Sequence, residues 1–353
     1  MRIAIVGAGL VGQRTARMLA SSGFDDVVLI SQSRPIEPLE GVLVGQGWPH
    51  PAARDADIVV LATESSRQPS MAARLVKAGT HVVSTADNLT DVERLLALHE
   101  TAAAANAILV VGACYSPGLS SLLAAHLASS MDHVDTISTA QFGTGGPACA
   151  RQHHRALASE GTEVHQAQLR TARRGSGREL VWFPNPVGPA DCYRAGLADP
   201  LLLHRAFPTV RRIESRQAAT RRDRLTARLP MLRPPHEEGL TGAVWVEVRG
   251  LVDGQIEHRA MAATAPHATG AAAMAAAFSH ELAAELGASA VDDAPSEPWS
   301  VGVNSAADYG TIVPLMGLMS QKVRLWTYDG SQIDPTSGQE RKIHAARKWG
   351  LTT

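Results

Sequence analysis

The stretch IVGAGLVGQRTARML, residues 5–19, decides the fold. The apolar run Arg2–Val6 leads into it, and Gly7, Gly9 and Gly12 set out a G-x-G-x-x-G pattern. Val11, Thr15, Met18 and Leu19 then recur at helical spacing, and Val27–Ile30 is a second apolar run. A strand, a glycine turn, a helix and a second strand form the context in which this pattern holds a dinucleotide. The glycines allow the tight turn. Backbone groups of Gly7, Gly9, Leu10, Val11 and Gly12 can then approach a pyrophosphate at the positive end of the helix.

The pattern continues outward. Ile58–Ala62, His81–Ser84 and Ile108–Val111 are further β-branched runs, with helical spacing at 69–79 and 90–105 between them. None alternates polar with apolar, as expected of strands covered on both faces. The first part of the chain is therefore expected to be an α/β Rossmann domain, with a parallel sheet and helices on both faces. Ligands bind at the C-terminal ends of such strands, which places Ala62, Thr63, Thr85, Ala86 and Asp87 beside the cofactor. Asp87 reads equally as a site carboxylate or as the cap of the next helix. Where a carboxylate would select NAD, the end of the second strand carries Ser31, Gln32, Ser33 and Arg34. Serines and an arginine welcome a 2′-phosphate, so NADP is favoured over NAD.

After a helix at 117–130, with Pro117 in its first turn, the texture changes. Asp135–Phe142, Glu179–Phe183, Thr209–Gln217, Ala243–Val252 and Gln255–Thr264 read as strands without alternating helices, so a mostly antiparallel sheet is expected. Asp253-Gly254 is a hairpin turn signal. Residues 267–287 read as one alanine-rich helix. A helix at 310–320, a strand at Val323–Thr327 and a basic helix near 340–348 follow. The expected boundaries are 1–134 for a dinucleotide domain, 135–265 for an α+β domain and 266–353 for a C-terminal segment.

Composition narrows the function classes. The chain has 353 residues, enough for about two domains at ~150 residues each. It is 45% hydrophobic and 19% charged, which excludes a disordered chain. A formal charge of -1 gives no global footprint for nucleic acid or an anionic membrane. No apolar run is long enough to span a bilayer. Cys114, Cys149 and Cys192 are too sparse for a disulfide framework and show no metal spacing, so no metal is expected and a reducing cytoplasm is the default.

Three stretches resemble the saccharopine dehydrogenase-like (saccharopine reductase) family. They are IVGAGLVGQRTARML, the segment Gly112–Leu119, similar to the family's Gly-x-x-Pro-Gly-Leu element, and GLVDGQIEHRAMAATAPHATGAAAMAAAFSHEL. The segment FPNPVGPADCYRAGLADPLLL is similar as well. The resemblance implies that the α+β domain is inserted and that the C-terminal segment returns to the Rossmann domain, with NAD(P)-linked oxidation or reduction at a C–N bond of a small amino-acid-like or imine substrate; a homodimer is expected. The family also holds proteins with no known reaction, so a non-catalytic redox sensor or scaffold is the alternative. The cluster Gly143-Thr144-Gly145-Gly146-Pro147 followed by Arg151-Gln152-His153-His154-Arg155 departs from any family motif.

Hydride transfer needs the nicotinamide placed against the substrate carbon and a group that moves a proton. Histidine titrates near neutrality, and an arginine clamps a carboxylate. His153 and Arg151 (or Arg155) therefore become candidates, with Thr144 on the glycine turn before them. Residues 153 and 154 point about 100° apart on a helix, so one histidine is expected to face a cleft. Tyr115 is a further donor, or else packs under the nicotinamide. Tyr115, Thr144, Arg151 and His153 are together expected to line a cleft between the domains. Asp191-Cys192-Tyr193 is a weaker polar knot. The arginines from Arg211 to Arg233 lack the interleaved aromatics of a single-strand nucleic-acid groove. They read as a solvated strand face or as contacts for an anionic substrate. His165, His204, His236 and His267 show no metal spacing.

Overall fold

The computed structural model describes residues 1–32, 35–231, 238–239, 241–288, 299–309, 323–328 and 347–348. The chain opens with β1 (Ile3–Val6), α1 (Leu10–Ser21), β2 (Val27–Ser31), β3 (Leu43–Gln46), α2 (Pro51–Arg54) and β4 (Ile58–Leu61). Then come α3 (Gln68–Lys77), β5 (His81–Ser84), α4 (Leu89–Leu96), α5 (His99–Ala104), β6 (Ile108–Val111) and α6 (Leu119–Ala128). The middle contains β7 (His133–Phe142), α7 (Pro147–Ala158), β8 (Gly161–His165), β9 (Gln168–Ala172), β10 (Glu179–Trp182) and β11 (Pro189–Arg194). It continues with α8 (Asp199–Ala206), β12 (Arg212–Ala218), α9 (Arg221–Thr226), β13 (Thr241–Val252) and β14 (Gln255–Pro266). The last elements are α10 (His267–Ala288), β15 (Gly302–Ser305), β16 (Arg324–Tyr328) and β17 (Arg347–Lys348).

These form two compact units, each with its own sheet. The first spans Met1–Gly118 and Ala268–Tyr309. Its sheet has the order β15-β6-β5-β4-β1-β2-β3, with all strands parallel. Every residue of β1, β2, β4 and β6 is buried. That is why their sequences are unbroken β-branched runs. Helix α10 lies along α1: Arg14 donates to the Thr269 hydroxyl at 2.8 Å, and Phe24 meets His280 edge to face at 5.6 Å. Helix α10 also comes close to Tyr115: a Cβ on Gly270 would lie 2.3 Å from the Tyr115 ring.

The second unit, Leu119–His267 with the described residues 323–328 and 347–348, has the sheet order β10-β11-β12-β7-β13-β14-β16-β17, with β8 and β9 attached through β12. Most pairings are antiparallel, but β12 and β7 run parallel. The β13–β14 hairpin turns on Asp253 (φ 50) and Gly254 (φ 74), two left-handed residues as a type I′ turn requires.

The structure corrects several expectations. The region 90–105 is two helices rather than one, broken at Ala97-Leu98. Helix α6 starts at Leu119, so Pro117 precedes it. The unit boundary falls at Gly118/Leu119, not at 134/135. The tail does not return whole to the first unit. β15 joins the first sheet, but β16 pairs with β14 in the second. The cause is apolar: Tyr328 is buried with its ring 4.8 Å from Trp245. Residues 347–348 pair as a strand with β16, not as a helix. The rest of that expected helix, the helix at 310–320, and Ser33 and Arg34 lie outside the described residues.

The arginine-rich stretch has a structural explanation in part. Glu214 on β12 is only 3% exposed and bonds Arg212 and Arg216, with Arg194 at 3.4 Å. Arg216 also reaches Glu179 at 2.9 Å and the Gly177 carbonyl at 3.0 Å. Burial alone would raise the Glu214 carboxyl, but Arg216, Arg212 and Arg194 together hold it below the usual carboxylate range. A depressed carboxyl contributes stability that is complete above its unfolded pKa and is lost as pH falls through the folded one. Glu214→Gln should therefore cost on the order of 3 kcal/mol at pH 7, because it removes the buried anion beside the buried Arg216 guanidinium. Urea unfolding should show that loss shrinking toward pH 3, and an equal loss at both pH values would contradict the assignment.

Candidate dinucleotide and substrate sites

The glycine turn joins β1 to α1, and its three glycines have different reasons to be there. Gly7 has φ 119, and a Cβ on it would lie 2.5 Å from the Ala62 carbonyl oxygen. A Cβ on Gly12 would lie 1.8 Å from the Gly7 carbonyl oxygen. The fold itself demands both. Gly9 has φ -77, which any residue adopts, and a Cβ on it would meet nothing within 4 Å. It is the N-cap of α1 but offers no side-chain cap, and the first turn carries no acid. No contact among the described residues calls for this third glycine, and an open helix N-terminus of this kind suits an approaching phosphate.

The neighbouring strand ends are held in place. Ala62 N–H donates to the Val6 carbonyl at 2.9 Å, and the Thr85 hydroxyl donates to the Leu61 carbonyl at 2.9 Å. The Gln68 amide bonds the Thr63 carbonyl (2.9 Å) and accepts from Ser84 (2.7 Å), tying the ends of β4 and β5 together. Ala86 is buried next to them. After β2, Ser31 accepts from Gly47 N–H at 2.8 Å through its carbonyl. Arg67 donates to the Gln32 side chain, which puts a guanidinium beside the end of that strand. Sequence reasoning missed Arg67. It sits 35 residues from Gln32, and only the fold brings the two together.

Asp87 follows β5. The helix cap that it was equally expected to supply comes instead from Asn88, whose side chain accepts from Asp91 N–H at 3.2 Å. Burial pushes the Asp87 carboxyl up to about 6. A hydrogen bond to its own backbone works against this, and the charge of Asp91 adds to it. A carboxyl titrating that high, at the ligand-binding edge of a parallel sheet, marks a functional candidate.

The other candidates divide between the units. Tyr115, in the first, is fully buried and packs against Gly270. Thr144, Arg151 and His153 lie in the second. Thr144 and Arg151 are half-buried at the turn and first half of α7. His153 is 4% exposed. Burial pushes its ring down to about 4, with the Gly143 carbonyl acting the other way. A ring shifted that far is neutral at pH 7, with one nitrogen a donor and the other an acceptor. His154 faces elsewhere and donates to the Leu229 carbonyl at 3.0 Å.

His153 instead has two partners that the sequence did not connect. Its Nε2 lies 3.6 Å from Cys149 Sγ, and its ring is 5.3 Å from that of His267. Burial lowers His267 well below the ordinary imidazole value, and His153 adds to this. The Asp191-Cys192-Tyr193 knot is structural. Asp191 pairs with Arg178 at 3.0 Å, Cys192 is fully buried with its thiol pushed up to about 12, and Tyr193 lies under Arg224 at 4.0 Å.

Comparison with known proteins follows this geometry. Residues 2–88 match the family described as NADP oxidoreductase, coenzyme F420-dependent. Saccharopine dehydrogenase (L-Glu forming) from Saccharomyces cerevisiae superposes with a TM-score of 0.64 at 12% identity, covering 93% of this chain and 99% of that one. The chain has the saccharopine dehydrogenase-like fold. An engineered D-amino acid dehydrogenase bound to NADP+ is similar at a TM-score of 0.50 and 16% identity, covering 87% of this chain and 93% of that one. At these identities the likeness is one of fold, and the neighbours include amino-acid dehydrogenases. No helix among the described residues is long and apolar enough to cross a membrane.

Folding and binding make separate demands on the glycines of this turn. Gly9→Ala should cost no more than about 1 kcal/mol of stability, the usual penalty of an alanine N-cap. It should weaken dinucleotide binding at least ~10-fold, about 1.4 kcal/mol. Gly12→Ala should instead lose about 3 kcal/mol or more through overpacking. Thermal melts and cofactor titration of both variants check this. Unchanged affinity in Gly9→Ala would remove the pyrophosphate from this turn.

Proposed function

We propose that this chain is an NADP-dependent oxidoreductase acting on the C–N bond of a small amino-acid-like or imine substrate. Gly9 carries the reading, as a glycine that suits a ligand and that no contact among the described residues calls for. Two features support NADP. The described end of β2, Ser31 and Gln32, holds no carboxylate to repel a 2′-phosphate. Arg67 stands beside Gln32 as a partner for that phosphate. The printed names of the two similar structures, a saccharopine dehydrogenase and a D-amino acid dehydrogenase, support the substrate class.

The roles follow from chemistry. The nicotinamide supplies or accepts the hydride when bound, and the protein orients the reactants and moves a proton. Asp87, held near 6 at the edge of β5, is the titrating group on the cofactor side. Arg151 and Thr144, half-exposed in the second unit, are suited to hold a substrate carboxylate by ion pair and hydrogen bond.

NADPH consumption against a panel of 2-oxo acids with amino donors tests the reading. Turnover is expected with NADPH preferred over NADH, and Arg67→Ala should narrow that preference. Arg151→Ala should raise KM about tenfold or more, the cost of one lost charge-assisted pair. The pH profile should break near 6 and lose that break in Asp87→Asn. NADPH binding without turnover on any substrate would favour the non-catalytic redox-sensor reading.

A further inference from the structure

Helix α7 carries Cys149 and His153 four residues apart, so they share a face. His267 starts α10, 118 residues beyond Cys149, where β14 ends. The chain brings it back because β7, β13 and β14 are adjacent strands. A Cβ on Gly143 would lie 2.9 Å from Gly242 Cα, and one on Gly242 would lie 3.4 Å from His267 Cβ. The missing side chains at these two glycines let the end of β7, the start of β13 and the start of α10 converge.

The three side chains present one sulfur and two imidazole nitrogens, all within 4.8 Å of one another. Cys149 Sγ lies 3.6 Å from His153 Nε2 and 3.8 Å from His267 Nδ1. A tetrahedral zinc with ordinary Zn–S and Zn–N bonds sets its sulfur and nitrogen ligands about 3.6 Å apart. His153 and His267 are 4% and 3% exposed, whereas Cys149 is half-buried, which leaves a path from solvent. The set contains no carboxylate. Thiolate with imidazole suits zinc and its soft neighbours rather than magnesium or calcium, which take oxygen.

We propose that Cys149, His153 and His267 form a binding site for a divalent transition metal of the zinc class. Three protein donors leave the fourth position of a tetrahedron to water or to a small ligand, as in open zinc sites. On binding, the Cys149 thiol gives up its proton to solvent and bonds as thiolate. The inference does not depend on the dinucleotide reading, since all three residues lie in the second unit.

The test uses the full chain, incubated with zinc and then freed of loose metal by gel filtration. Elemental analysis should find about one zinc per chain. Cys149→Ser, which swaps one atom at a half-exposed position, should lower zinc affinity at least ~10-fold while far-UV dichroism stays unchanged. His267→Ala should do the same. Cobalt loading supplies a readout independent of activity, a thiolate-to-metal charge-transfer band present in the parent chain and absent in Cys149→Ser. A parent chain that retains no zinc would overturn the proposal and leave only S–H···N contacts. Zinc retained undiminished in both variants would overturn it equally.

Discussion

The approach of three backbones around Gly7 sets the rest of the first unit. The end of β4 comes within 2.5 Å of where a Gly7 Cβ would be, and the Gly7 carbonyl comes within 1.8 Å of where a Gly12 Cβ would be. Only glycines allow β1, β4 and α1 to meet so closely. Once they do, α1 starts above the carboxyl edge of the sheet, and Ala62, Thr63, Thr85 and Asp87 collect at that edge. Gly9 is exempt from this crowding, and that exemption gives it meaning for binding.

Much of this was legible in the sequence because burial on both faces leaves a signature. β1, β2, β4 and β6 are unbroken apolar runs because each of their residues is covered. The hairpin at Asp253-Gly254 was legible because two successive left-handed residues need particular side chains. The strands β3 and β9 were not. Nearly all their residues are at least partly exposed, so backbone pairing, with β2 and with β8, defines them rather than an apolar pattern. β16 was legible as a strand but not as a member of the second sheet, since its burial against Trp245 is a tertiary fact.

The candidate sites show the same division. The glycine turn and the strand ends could be named from local sequence. Residue type alone misjudged His153, which looks like a near-neutral titrating group but lies buried beside Cys149 and His267. The one local clue was Cys149 four residues before His153. The third member, His267, could not be joined to them without the fold. Arg67 was invisible for the same reason. Asp87 was in view from the start, and the cap that it was equally expected to supply comes from Asn88.

The central claim is that a dinucleotide pyrophosphate sits on the Gly7–Gly12 turn. Hydrogen–deuterium exchange with and without NADPH measures this directly at the backbone amides. The account predicts added protection in peptides covering residues 7–13, with smaller gains at 62–64 and 85–87. Protection confined to other parts of the chain, with the amides of Gly9, Leu10 and Val11 exchanging as fast as before, would contradict it.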